Sequence, residues 1–234
     1  MMKQRDINTK PKAVIFDFDF TLADSSHGVL ECINSALNTL NLPIVSYEQV
    51  CKAIGLSLTD TFTFLTDQGT PTQNKEFSRL FIQRADEIMV DLTVVFPSVP
   101  ETIKILKASG LSLGIVSTKY RHRIETILVR AKLLEYFDVI VGGEDVTSHK
   151  PDPAGTITAA KTLQTDPSLC VFVGDSVVDA ETANRASMAF VAVLSGVTTS
   201  DAFKAYPFLE IIDGVEDLPK LLFEHIDSIG KNSV

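Results

Sequence analysis

Ala13-Val14-Ile15-Phe16-Asp17-Phe18-Asp19-Phe20-Thr21-Leu22 decides the fold. Its first four residues are an unbroken apolar run with β-branched members, the pattern of a strand buried on both faces. Such strands belong to parallel sheets covered by helices on each side. Two aspartates follow at once, one residue apart. In an open α/β sheet, ligands bind beyond the carboxyl ends of the strands, so Asp17 and Asp19 point into the expected crevice. Two carboxylates at that spacing are able to divide nucleophilic and acid/base work. Taken alone, the pair reads more commonly as an acidic turn.

Outward from this strand the same alternation continues. Further apolar runs lie at Leu113–Val116, Val139–Val141, Cys170–Val173, Phe190–Leu194 and Glu210–Ile212. Helix-length segments at Pro100–Ser109, His122–Lys132, Pro153–Leu163 and Val177–Arg185 separate most of them. The alternation predicts an α/β fold with a Rossmann-like parallel sheet. Residues 25–92 break it. They carry helical patterns at Val29–Leu40, Tyr47–Ala53, Leu58–Thr66 and Asn74–Val90 and no convincing strand. The expected organisation is an α/β core of residues 1–24 and 93–234 with an inserted all-helical segment, 25–92. Pro97–Pro100 punctuates the return to the core.

Bulk composition bounds the function. With 45% hydrophobic and 22% charged residues, the 234-residue chain matches an ordinary globular protein, with disorder expected only at Met1–Lys10 and Lys231–Val234. A net charge of −9 leaves no broad basic face for nucleic acid. It permits a small phosphorylated substrate, because a metal ion and a few local cations reverse the sign within one cleft. No apolar stretch follows the first charges, and no run approaches about 18 apolar residues, so neither a signal peptide nor a membrane span is expected. Cys32, Cys51 and Cys170 lack metal-ligand spacing and cannot all pair, which predicts a reducing, cytoplasmic setting.

Three more motifs follow strands. Gly114-Ile115-Val116-Ser117-Thr118-Lys119 ends a strand on a hydroxyl able to donate to a phosphate oxygen; a Ser/Thr turn explains it equally simply. His149-Lys150-Pro151-Asp152-Pro153 sets Lys150 in a loop at the sheet's rim, with Asp152 and Pro153 reading as N-cap and first residue of the next helix. Lys150 is either a solvated lysine or a counter-charge to the clustered carboxylates. In Val173-Gly174-Asp175-Ser176-Val177-Val178-Asp179, the two acids are four residues apart and share one helix face. Like charges there repel unless something positive lies between them. A helix dipole accounts for acids at a helix start; a metal accounts for their place at another strand's end. Oxygen ligands without His or Cys point to Mg²⁺.

This ordered set, D-x-D-x-T, a strand-terminal Ser, Lys-Pro, then G-D-S-x-x-D, closely resembles the haloacid dehalogenase superfamily over nearly the whole chain. Residues 25–92 resemble its C1-type helical cap. The stretches IVSTK, HKPDP and VGDSVVDAETANRA are similar to phosphoglycolate phosphatases and related bacterial pyrophosphatases. The resemblance implies a nucleophilic Asp17 that forms an aspartyl-phosphate and an acid/base Asp19. Ser117 and Lys150 would hold the transferring oxygens. Mg²⁺ would be held by Asp17, the backbone carbonyl of Asp19, and Asp175, with Asp179 binding it or adjacent to it. Thr21, Thr118, Lys119, Arg123 and Gly55 are the expected substrate contacts. Asp19 argues against carbon–halogen cleavage, because a departing halide needs no proton.

The leading expectation is a phosphatase acting on a small phosphometabolite such as phosphoglycolate. Alternatives within the family are an inorganic pyrophosphatase, a nucleotide phosphatase or a sugar-phosphate mutase. From another class, a non-catalytic phosphate-sensing module stays open, although all motif residues are retained. A monomer and a homodimer are equally compatible.

Two positions depart from the family pattern: Phe20 and Ser187 stand where relatives usually carry glycine. If the first turn needs φ > 0, a bulky residue is strained there; otherwise the turn tolerates negative φ, or Phe20 closes part of the pocket. In Lys119-Tyr120-Arg121-His122-Arg123, positive charge at a helix start opposes the dipole. The run reads as a solvated helix face or as a site for a second anionic group. Ile54-Gly55-Leu56-Ser57-Leu58 resembles the family's specificity loop and is also explained as a turn. His27 and His149 read as structural.

Overall fold

The computed structural model describes residues 10–67 and 70–223. The expectation of disordered ends therefore falls, except at Lys10, outside the described residues. The chain opens with β1 (Ala13–Phe16) and β2 (Ala23–Asp24), followed by helices α1 (Ser26–Thr39), α2 (Tyr47–Cys51), α3 (Leu58–Thr66) and α4 (Pro71–Ile88). It returns through β3 (Val94–Val95) to α5 (Val99–Ala108), β4 (Ser112–Val116), α6 (Arg121–Arg130) and β5 (Val139–Val141). The remainder is α7 (Ala154–Thr162), β6 (Cys170–Gly174), α8 (Val177–Arg185), β7 (Ala189–Val193), α9 (Ser200–Phe203) and β8 (Glu210–Ile212).

Among the described residues, six strands form one parallel sheet in the order β5-β4-β1-β6-β7-β8. This is the expected α/β architecture. β1 lies between β4 and β6, with Phe16 in register with Ile115 and Val173. Strand alternation then sorts its side chains. Val14 and Phe16 pack with Ile103, Ile124 and Ile127 of α5 and α6, whereas Ala13 and Ile15 pack with Ala159, Ala160 and Ala180 of α7 and α8. Covering both faces in this way is why the strand reads as an unbroken apolar run.

The four helices α1–α4 bury a separate cluster built on Cys32, Ile33, Leu37, Phe62, Phe77 and Phe81. Most elements fall within a few residues of the sequence reading. α4 begins three residues earlier than the apolar pattern, because Thr70 and Gln73 form a reciprocal capping box ahead of Pro71. A short element went unread: β2 and β3 pair antiparallel, Ala23 with Val95 and Asp24 with Val94. This ribbon joins the two crossings between sheet and helices, and Phe96 N–H adds a bond to the Leu22 carbonyl at 3.0 Å. Two residues a side are too few for alternation to be legible. One cap differs by a residue: Pro153 occupies the N-cap position of α7, and Asp152 accepts from the Ala154 N–H at 2.9 Å.

Candidate active site

The site is assembled at the carboxyl ends of β1, β4, β5 and β6. The Asp17 N–H still bonds to the Val173 carbonyl, 2.9 Å away, so the chain leaves β1 alongside the Gly174-Asp175 turn. Lys150, from the loop after β5, lies 2.8 Å from Asp17 Oδ1 and 2.6 Å from Asp179 Oδ1. The other Asp179 oxygen accepts from the Ser176 hydroxyl at 2.5 Å and the Ser176 N–H at 3.1 Å. Asp179 is thus both the capping-box acid of α8 and a partner of Lys150. This answers the repulsion expected between acids four residues apart: Lys150 and the helix start neutralise one of them. Among the described residues, the Thr21 hydroxyl lies 3.5 Å from Asp175 Oδ1, and the Asp175 carboxylate also accepts from its own backbone N–H.

Asp17, Asp175 and Asp179 each offer an oxygen within 4.8 Å of the others, and all three are buried. Burial pushes Asp17 up from 3.8 to about 7, with Lys150 opposing and Asp179 and Asp19 adding to the rise. Burial likewise raises Asp175 well above the ordinary carboxylate range, helped by the charges of Asp179 and Asp17. Lys150 is held above its usual value: desolvation works against its charge, but the two aspartates it bridges outweigh that. Three carboxylates therefore share one ammonium. A hard divalent cation suits both the all-oxygen donor set and the uncompensated charge. The backbone leaves space for it, since a Cβ on Gly196 would stand 2.0 Å from Asp175 Oδ2.

Asp19 points elsewhere. Its Oδ1 accepts from the Ser25 hydroxyl at 2.6 Å and pairs with Lys119 Nζ at 3.1 Å. Ser117 is fixed by its N–H to the Val141 carbonyl at 3.0 Å, and its Oγ accepts from the Lys119 N–H at 3.3 Å. The side chain therefore makes the Ser/Thr turn and lines a small crevice beside Lys150.

Asp19, Gly55, Thr118, Lys119, Arg123 and His149 line a cavity of about 280 Å³ between the helical segment and the sheet. Gly55 has φ +94°, a conformation that favours glycine, with open space where a Cβ would lie. Thr21 is not on that wall; it faces Asp175. The basic run at the start of α6 meets acids rather than solvent alone. Arg123 pairs with Asp86 of α4 at 2.6 Å, Arg121 pairs with Asp145 at 2.9 Å, and Glu144 accepts from the Arg121 N–H at 2.9 Å. Glu144 thus supplies the anion that the helix dipole favours. His27 stacks on Tyr47, as a structural residue would, but His149 lies on the cavity wall with Nδ1 buried and unpartnered. The three cysteines are free and buried, and burial pushes the Cys32 and Cys170 thiols up to about 12.

Phe20 adopts φ +59°, so the first turn does require the left-handed region, and its side chain is buried without lining the cavity. Both relaxed alternatives, negative φ and a pocket-closing ring, are therefore corrected. The turn is held by the Phe20 N–H to the Ala23 carbonyl at 2.7 Å and by the Ser195 hydroxyl to the Phe20 carbonyl at 2.5 Å. Ser187 also has φ +59°. Ser195, Gly196 and Asp86 were not singled out in the sequence. None carries a local signal, because each is recruited by a partner distant in the chain or by the turn itself.

A family model described as haloacid dehalogenase-like hydrolase matches residues 14–193. The chain belongs to this family. It is 31% identical to a phosphoglycolate phosphatase of Salmonella typhimurium, over 93% of this chain and 95% of that protein. A crystal structure from Bacteroides fragilis, described as a haloacid dehalogenase-like hydrolase, superposes with a TM-score of 0.87 at 40% identity, covering 89% of this chain and all of the other. A predicted phosphoglycolate phosphatase of Haemophilus somnus superposes with a TM-score of 0.80 at 28% identity, covering 91% and 98%. The protein is an enzyme, a phosphatase of the haloacid dehalogenase-like family. No described helix is long and apolar enough to cross a membrane.

Proposed function

We propose that the protein hydrolyses a small phosphorylated metabolite through an aspartyl-phosphate on Asp17, with Mg²⁺ held by Asp17, Asp175, the Asp19 carbonyl and, directly or adjacently, Asp179. The observation that carries the reading is the Lys150 ammonium, which bridges Asp17 and Asp179 beside Asp175 while Asp19 faces the neighbouring cavity. The nucleophile and the acid/base are thus held by different partners in different surroundings.

Lys150 fixes the Asp17 carboxylate, one oxygen of which attacks phosphorus as the bond to the leaving oxygen breaks. Asp19 gives a proton to that oxygen as it departs. Asp19 then takes a proton from water, the water oxygen attacks phosphorus, the Asp17–phosphorus bond breaks, and phosphate leaves. Lys150 and Ser117 hold the transferring oxygens, and Lys119 and Ser25 fix the position of Asp19. When bound, Mg²⁺ supplies positive charge that offsets repulsion between carboxylate and phosphate and stabilises the equatorial oxygens.

Residues 25–92 act as a lid over the core formed by 1–24 and 93–234. The ribbon β2–β3 is the crossing about which the lid moves, and Gly55, Thr118, Lys119 and Arg123 meet the leaving group. Phosphoglycolate is the first substrate to test, because curated relatives of similar length carry that activity in their names. A hydrolysis screen with Mg²⁺ over phosphoglycolate, pyrophosphate, nucleotides and sugar phosphates, with Asp17→Asn as control, tests the reading. Phosphate release that survives Asp17→Asn sinks the mechanism. Three free, buried cysteines suit a cytoplasmic enzyme.

A further inference from the structure

The cavity beside Asp19 is large for a two-carbon leaving group. At about 280 Å³ it has room for roughly nine waters at ~30 Å³ each. Much of its wall is hydrocarbon: Val29, Ile33, Ile54, Leu58, Phe81 and Met89. Ile33, Phe81 and Met89 belong to the buried cluster of the four helices, and Val29, Ile54 and Leu58 pack against it. The helical segment therefore turns part of its own core toward the site.

Charge on that wall is already matched. Apart from Asp19, the charged lining residues among those described are Lys119 and Arg123. Lys119 Nζ lies 3.1 Å from Asp19 Oδ1. Arg123 directs Nε and Nη2 to Asp86 at 2.9 and 2.6 Å, and Nη2 also donates to the Ile82 carbonyl at 3.2 Å. The other polar lining groups are neutral hydroxyls, such as Ser57, Ser78 and Thr118, and the His149 imidazole, whose Nδ1 has no partner. A second anionic group there would lose its hydration and have to compete with Asp19 or Asp86 for a cation. Hydrocarbon would be stabilised by burial, with His149 and hydroxyls such as those of Ser78 and Thr118 placed to orient one polar atom.

From this geometry we infer that the preferred substrate is a phosphate monoester of a carbon-rich, uncharged alcohol, whose leaving group fills the cavity against Ile33, Ile54 and Phe81. The inference rests on the phosphatase reading above and narrows its substrate class. It places phosphoglycolate, with its short charged leaving group, among the poorer substrates.

The test uses the full-length protein with Mg²⁺ and a series of n-alkyl phosphates from ethyl to hexyl, beside phosphoglycolate. Leaving-group acidity changes little along the series, so chain length reports the wall. The expected result is a rise in kcat/KM of roughly three- to fourfold per methylene until the cavity is full, with hexyl phosphate turned over better than phosphoglycolate. Ile54→Asn, at a half-buried wall position, flattens that slope. A flat or falling series, or phosphoglycolate preferred by roughly tenfold or more, overturns the inference and leaves the phosphatase reading standing. Failure to turn over any ester, phosphoglycolate included, overturns both.

Discussion

Phe20 and Ser187 share a backbone angle and differ in everything else. Both hold φ +59°, where a side chain costs about 1–2 kcal/mol relative to glycine. Ser187 is exposed and follows α8, so nothing offsets that strain. Ser187→Gly is expected to stabilise the protein by about 1 kcal/mol, read as a shift in the urea midpoint with no change in slope. Phe20 is buried, and losing its ring costs about 3–5 kcal/mol, more than the strain relieved. Phe20→Gly is therefore expected to lower stability by roughly 1–4 kcal/mol on the same scale; a stabilised variant would contradict this account of the turn. Lys150 is a further case decided by burial. Lys150→Met leaves Asp17, Asp175 and Asp179 without their ammonium, and about 3–5 kcal/mol of stability should go with it. The identity of each of these residues was legible in the sequence. Their energetics were not, because burial and φ are set by distant neighbours.

At the scale of elements, legibility follows period and length. β1 was readable because both of its faces are covered, which makes every residue apolar. The start of α4 was readable in principle from Thr70-Pro71-x-Gln73, a local signal that an apolar pattern passes over. The β2–β3 ribbon was not readable, since two residues a side carry no alternation. Nor was the tie between α4 and α6, where the buried Arg123 meets the half-exposed Asp86 across 37 residues of chain. Burial alone would raise Asp86, but Arg123 and His122 more than offset it and hold the carboxyl below its ordinary range. Asp86→Ala leaves a buried guanidinium without its carboxylate and is expected to cost about 1–3 kcal/mol. Double-mutant analysis with Arg123→Met should recover much of that loss, and purely additive effects would dissolve the tie.

For the whole molecule, the acidic centre couples stability to pH and, on the proposed chemistry, to metal. Asp17 rises from 3.8 to about 7 on folding without an ion. Between those values the folded state keeps a proton that the unfolded state has released, so stability falls as pH rises from about 4 to 7. Mg²⁺ should oppose this fall. Its stabilisation, read as a rise in Tm, is expected to be larger at pH 7.5 than at pH 5, reaching about 2.7 kcal/mol when the ion exceeds its Kd a hundredfold. A melting temperature indifferent to Mg²⁺ at both pH values would remove the metal from the proposed chemistry. The three aspartates were legible as motifs at strand ends; their shared burial, which creates the coupling, appears only once β1 and β6 lie side by side. One consequence reaches beyond chemistry. Ile33, Phe81 and Met89 both hold the four helices together and surface the chamber. Any lineage that exchanges them to admit a new guest must refit the same joinery, so taste and sturdiness in this enzyme drift together.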